Sequence, residues 1–143
     1  MPVIPRLLTI ALLAAPMVAS AQSEEAEPSG LSIELNAVQD VADSCRLSFL
    51  ANNDTGTTIE KAIFETVIFD ASGGVVRLSL FDFRELPAGR PRVRQFDVAG
   101  MACDSLSQIL INGTNSCIAD GAENSLCSDG LRLNSRTTLK LLG

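Results

Sequence analysis

The 143-residue chain contains no histidine, tyrosine or tryptophan. Without an imidazole it cannot build a Ser-His-Asp or Cys-His nucleophile, a histidine general base or a histidine-ligated metal centre. Cations are scarce as well. Eleven Lys and Arg stand against 17 Asp and Glu, a formal net charge of −6, and this balance argues against nucleic acid or an anionic membrane as the main partner. No Cys-x-x-Cys spacing occurs, so a thioredoxin-like redox pair and a zinc knuckle both lack their usual frame. No apolar run approaches the roughly 20 residues that a membrane-spanning helix needs. These absences point to a chain that is not an enzyme, with no catalytic residue, no metal and no cofactor.

What is present begins with an address. Arg6 precedes the apolar run LLTIALLAAPMVA, and Ala19-Ser20-Ala21 gives the small-x-small pattern of signal peptidase. Residues 1–21 therefore read as a cleavable signal peptide, with a periplasmic or secreted mature chain and no transmembrane segment in it. No adjacent arginine pair precedes the run, which favours the general secretory route. The following stretch QSEEAEPSG, residues 22–30, is acidic and nearly devoid of apolar side chains, and is expected to form a flexible tail. Four cysteines in an exported chain imply two disulfides. Cys117 and Cys127 flank a loop of turn formers, while Cys45 opens one strand and Cys103 lies just before another. The expected bridges are Cys45–Cys103 and Cys117–Cys127.

From Leu31 onward the apolar spacing is two rather than 3.6, in short runs separated by turn formers. LSIELNAV, CRLSFLA, AIFETVIFD, VVRLSLFDF, VRQFDV, LSQILIN and LRLNSRTTLKLL make about seven strands. The expected fold is all-β: one domain, residues 31–143, forming an antiparallel two-sheet sandwich, immunoglobulin-like and disulfide-stabilised. The string LFDFRELPAGRPRVRQFDVAGMACDSLSQILING, followed by Cys117, Cys127 and the ending LNSRTTLKLLG, resembles a group of small exported alphaproteobacterial proteins often labelled Tat-signal-domain proteins. The resemblance covers most of the mature chain and implies no activity, cofactor or catalytic residue.

Two features are candidates for function. If residues 71 to 74 close the central hairpin, Asp70 pairs with Val75 and partner numbers sum to 145. One face then carries Ile63, Val67, Phe69, Val76, Leu78 and Leu80, with Glu65 and Asp82 at its wider end, and can serve as core. The other carries Phe64, Ile68, Arg77, Phe81 and Phe83. That second face is either covered by a neighbouring segment, turned inward by a bulge, or a partner-binding surface. In the segment RVRQFDV, either a bulge near Gln95 leaves the arginines in solvent, or Arg92 and Arg94 share a face with Phe96 and form a pocket mouth. With Arg90 they complete a candidate partner-binding set.

The resulting expectation is a non-catalytic exported binding or structural module of the cell envelope, its partner an envelope protein. The alternative is a histidine-free, carboxylate-dependent hydrolase acting on an envelope polymer, with Asp82 and Glu85 as its acids.

Overall fold

The computed structural model describes residues 29–143; the expected signal peptide and all but the last two residues of the expected tail lie outside the described residues. Period-two spacing allows alternate side chains to be buried on one face of a sheet, and almost every run that shows it forms a strand. In chain order these are β1 Gly30–Val41, β2 Ser44–Asp54, β3 Ile59–Asp70, β4 Val75–Leu86, β5 Arg92–Ala99, β6 Leu106–Ala119, β7 Ala122–Glu123, β8 Arg132–Ser135 and β9 Lys140–Leu142, with a 3-10 turn at Cys103–Ser105. They form two sheets, ordered β5-β2-β1-β8 and β4-β3-β6-β7, with β9 also paired to β6. The described residues are all-β and sandwich-like.

Nine strands replace the expected seven, and the sheets are mixed rather than purely antiparallel. Strand β8 runs parallel to β1, and β9 parallel to β6. One addition is the two-residue β7 within the loop between Cys117 and Cys127; the other, and the parallel pairing, come from the final run, expected as a single strand. Within its SRTT stretch, the Ser135 and Thr137 hydroxyls both donate to the Leu139 carbonyl, at 2.6 and 3.3 Å. Hydroxyl-to-backbone bonds of this kind turn the chain. The first half stays beside β1, and the second crosses to the other sheet, where Leu141 is buried next to Ile109.

The inner faces of β1 and β2 are those the alternation predicts: Leu31, Ile33 and Leu35 on one, Cys45, Leu47 and Phe49 on the other, all buried. Cys45 is bonded to Cys103, and Cys117 to Cys127. Asn53 is buried too, with its polar atoms occupied. Its amide donates to the carbonyls of Thr57 and Leu86 at 2.8 and 2.7 Å, and its side-chain oxygen accepts from Thr55. It ties the β2–β3 turn to the end of β4.

The hairpin register is the expected one over its centre, from Ile63 opposite Asp82 to Ile68 opposite Arg77, but next to the turn Val75 pairs with Phe69 rather than with Asp70, because β4 carries an extra residue at Val76. Its turn is organised by Asp70, whose carboxylate accepts from the Ser72 hydroxyl (2.6 Å), the Ser72 N–H (3.0 Å) and the Gly74 N–H (2.9 Å). At the far end Ala62 faces Arg84, so β4 holds one extra residue there. Asp82 Oδ1 accepts the Arg84 N–H at 2.8 Å, and Arg84 has a positive φ of 59°. This bulge resets the alternation, so that Phe81, Phe83 and Leu86 all point inward.

Two outcomes follow. Loop closure entropy makes the 58-residue Cys45–Cys103 bridge worth about 4 kcal/mol and the 10-residue Cys117–Cys127 bridge about 2.7 kcal/mol. Chemical denaturation of the two double-alanine variants should show the larger loss for the first. The second outcome concerns acid. The Ser72 hydroxyl and then the Gly74 N–H hold the Asp70 carboxyl below its ordinary pKa, and the Arg46 hydrogen bond does the same for Asp97. A depressed folded pKa contributes stability above the unfolded pKa that is lost as pH falls through the folded one. Thermal unfolding between about pH 5 and about pH 2 should therefore show a decline that is shallower in an Asp70→Asn, Asp97→Asn variant.

Candidate interaction surface

Of the two faces of the β3–β4 hairpin, the one the sequence leaves open is the inner one, and the one expected as core is outside. Phe64, Ile68, Phe81 and Phe83 are buried in the core, and cannot be anchors for an external partner. The reason is the aromatic volume that meets them from the opposite sheet. Phe49 lies edge-on to Phe81 and Phe83, with ring centroids 5.9 and 5.6 Å away, and Phe96 stacks on Phe81 at 4.1 Å. Arg77, on the same side of β4, is half-buried.

The face expected as core is the outer one. Its residues fall into cross-strand rows. The central row is Leu78 on β4, Val67 on β3, Leu110 on β6 and Leu142 on β9. One flanking row is Val75, Phe69, Gln108 and Lys140. On the other side come Leu80, Glu65 and Gly113, then Asp82, Ile63 and Ser116. Leu78 is 73% exposed, Leu80 57% and Val75 55%. A shallow groove of about 360 Å³ runs along Val67, Leu78 and Leu80, with Glu65 and Asn112 in its wall. Solvated sheet faces are ordinarily polar, and a contiguous apolar patch of this kind marks an interaction surface. Sequence reading missed these side chains as surface. The available signal was Glu65 and Asp82, two carboxylates that an inward face would have had to bury.

Exposure is concentrated at one place. Among the described residues, four of the six large apolar side chains in solvent, Val75, Val76, Leu78 and Leu80, lie on β4, an edge strand bonded only to β3.

The arginines occupy the other end of this edge. Strand β5 pairs with β2 without a bulge, so Arg92, Arg94 and Phe96 do share a face. Arg94 reaches across the seam between the sheets and donates to the carbonyls of Phe83 (2.6 Å) and Glu85 (2.9 Å) on β4. Burial first, then the nearby charges of Arg84 and Arg92, lower its pKa from the ordinary arginine value. A cleft of about 230 Å³ is lined by Arg84, Arg94, Phe96 and Asp82. Arg90 is exposed, and Arg92 donates to the carbonyl of its own neighbour Pro91 at 3.0 Å. Two ion pairs occur among the described residues, Arg46–Asp97 at 2.8 Å and Arg132–Asp54 at 3.6 Å, and neither involves this cluster. Asp82, proposed above as a hydrolase acid, is engaged in holding the bulge.

Among the described residues no group of three or more acidic or cysteine side chains is placed to hold a metal ion, and no helix is long and apolar enough to cross a membrane. No family model, curated protein or solved structure matches the chain.

The two faces predict opposite responses to truncation. Phe64→Ala and Phe81→Ala should each cost about 3–5 kcal/mol of stability in denaturant unfolding, whereas Leu78→Ser and Leu80→Ser should stay within about 0.5 kcal/mol of the parent. Equal losses in both pairs would return the leucines to the interior.

Proposed function

We propose that this chain is a non-catalytic module, exported to the cell envelope, that works by binding through the outer face and free edge of its β4–β3–β6 sheet. The observation that carries this reading is the row Leu78–Val67–Leu110–Leu142, apolar across four strands and open to solvent at both ends. A signal-like N-terminus and two disulfides support export, because bridges persist in oxidising compartments. We further read the sandwich as immunoglobulin-like, its connectivity supported by the pairing of β1, β2 and β5 opposite β4, β3 and β6. The parallel strands β8 and β9 are departures from that pattern.

The test is affinity capture from envelope extract by the mature domain, residues 22–143, and by its Leu78→Ser, Leu80→Ser variant. Recovery of a stoichiometric partner by the parent, reduced at least about tenfold in the variant at an unchanged melting temperature, is the expected result. Capture that ignores the double substitution would exclude this face.

A further inference from the structure

We propose, on the footing that the chain is a binding module, that the occupant of its free edge is a second copy of the same chain, its β4 paired antiparallel with β4 of the first. An edge strand presents unpaired backbone groups to any strand that can lie beside it, and proteins normally blunt such edges with charges, bulges or side-chain caps. Here the protection covers half of the strand. Arg94 occupies the carbonyls of Phe83 and Glu85, next to the Arg84 bulge. From Val75 to Phe81, among the described residues, no side chain caps the backbone, the one irregularity is a one-residue bulge at Val76 next to the turn, and the outward side chains are valines and leucines.

The boundaries of the open run set the register. It extends from the end of the hairpin turn at Gly74 to the bulge that begins at Asp82, so its middle is at Leu78. A two-fold axis through that point, perpendicular to the sheet, keeps the inner and outer faces of the two copies on the same sides. Leu78 then approaches Leu78 of the second copy, and Val76 approaches Leu80. The two apolar rows join into one, running from Leu142 of one copy to Leu142 of the other.

Charge favours the same orientation. One end of the β4–β5 side carries Arg84, Arg90, Arg92 and Arg94 against Asp82 and Glu85, a surplus of cations. The other end carries Asp70 in the hairpin turn. Antiparallel pairing about Leu78 sets Arg84 opposite Ser72 in the second copy's turn. Each cationic end meets the Asp70 end of the other copy, twice over, by symmetry.

The area is sufficient. An open run of about seven residues at about 3.4 Å each is about 24 Å long, and two sheets about 10 Å apart with their side chains present a side roughly 20–25 Å deep. That is about 500 Å² per copy, and about 1,000 Å² in total is the size of a weak, reversible interface.

Sedimentation equilibrium of the mature chain, residues 22–143, from about 5 to about 500 µM should show a monomer–dimer equilibrium with Kd in the range of about 10–100 µM, weakening about three- to tenfold between about 50 and about 500 mM NaCl. Leu78→Lys should be monomeric throughout at an unchanged melting temperature. Leu78→Cys, left to oxidise, should form a disulfide-linked dimer, whereas Asn36→Cys on the distant sheet should not. A parent chain that stays monomeric at the highest concentration overturns the proposal, and so does a dimer that Leu78→Lys leaves intact. The binding-module reading is judged separately. If the monomeric parent still captures an envelope component through Leu78 and Leu80, only the second copy is wrong; if capture ignores both leucines, the module's contact face falls with it.

Discussion

Phe81 of β4 and Phe96 of β5 stack face to face, their planes 4° apart, across the seam between the two sheets. Phe49 and Phe83 complete the contact with edge-on and tilted rings at 5.3–5.9 Å, and Phe64 joins through Phe83 at 5.5 Å. In a chain without tryptophan or tyrosine, these five of the six phenylalanines supply the bulk of inter-sheet aromatic contact. Aromatic pairs contribute beyond their buried area by about 0.5–1.5 kcal/mol each. The cluster also fixes the orientation of everything attached to it. Since side chains alternate along a strand, turning Phe64 and Phe81 inward commits Glu65 and Leu80 to the outside. The exposed leucines follow from the aromatic core.

The arginine-rich segment follows from the same seam. Arg94 lies next to Phe96 on the inward side of β5, where a cation in the core would be unpaired. It escapes by placing its guanidinium on the Phe83 and Glu85 carbonyls of the edge strand β4. Buried carbonyls need donors, and a planar fork with several N–H groups can serve two at once. The cluster that looks like a site in the sequence therefore contains one arginine that closes the scaffold and others, Arg84 and Arg90, that remain available at the surface.

Local features were legible in the sequence. Alternation located the main strands, the ASGG turn fixed the hairpin register over its centre, and turn formers around Cys117 and Cys127 indicated a local bridge. Which hairpin face lies inside was not legible from alternation, because both faces are apolar and the choice depends on Phe49 and Phe96, brought in from distant strands. Charge was the better guide, since Glu65 and Asp82 had no partners that could have compensated burial. Likewise Asp82 and Glu85 look like the natural counter-ions of the arginines, yet Arg94 binds backbone. An acceptor carbonyl on an edge strand has no sequence signature.

The outer row remains open because the fold does not depend on covering it. Burying a leucine fully contributes about 1.5–3 kcal/mol, and Leu78 and Leu80 forgo much of that in the isolated chain. The stability they withhold is supplied elsewhere, by a bridge that closes a 58-residue loop, a second that fixes the β6–β8 connection, and the aromatic seam. Substitution on the outer row can therefore alter association while the interior stays intact. Substitution at Phe81 or Phe96 cannot be selective in this way: it loosens the seam that holds β4 at the edge, and with it the strand on which any contact through Leu78 depends.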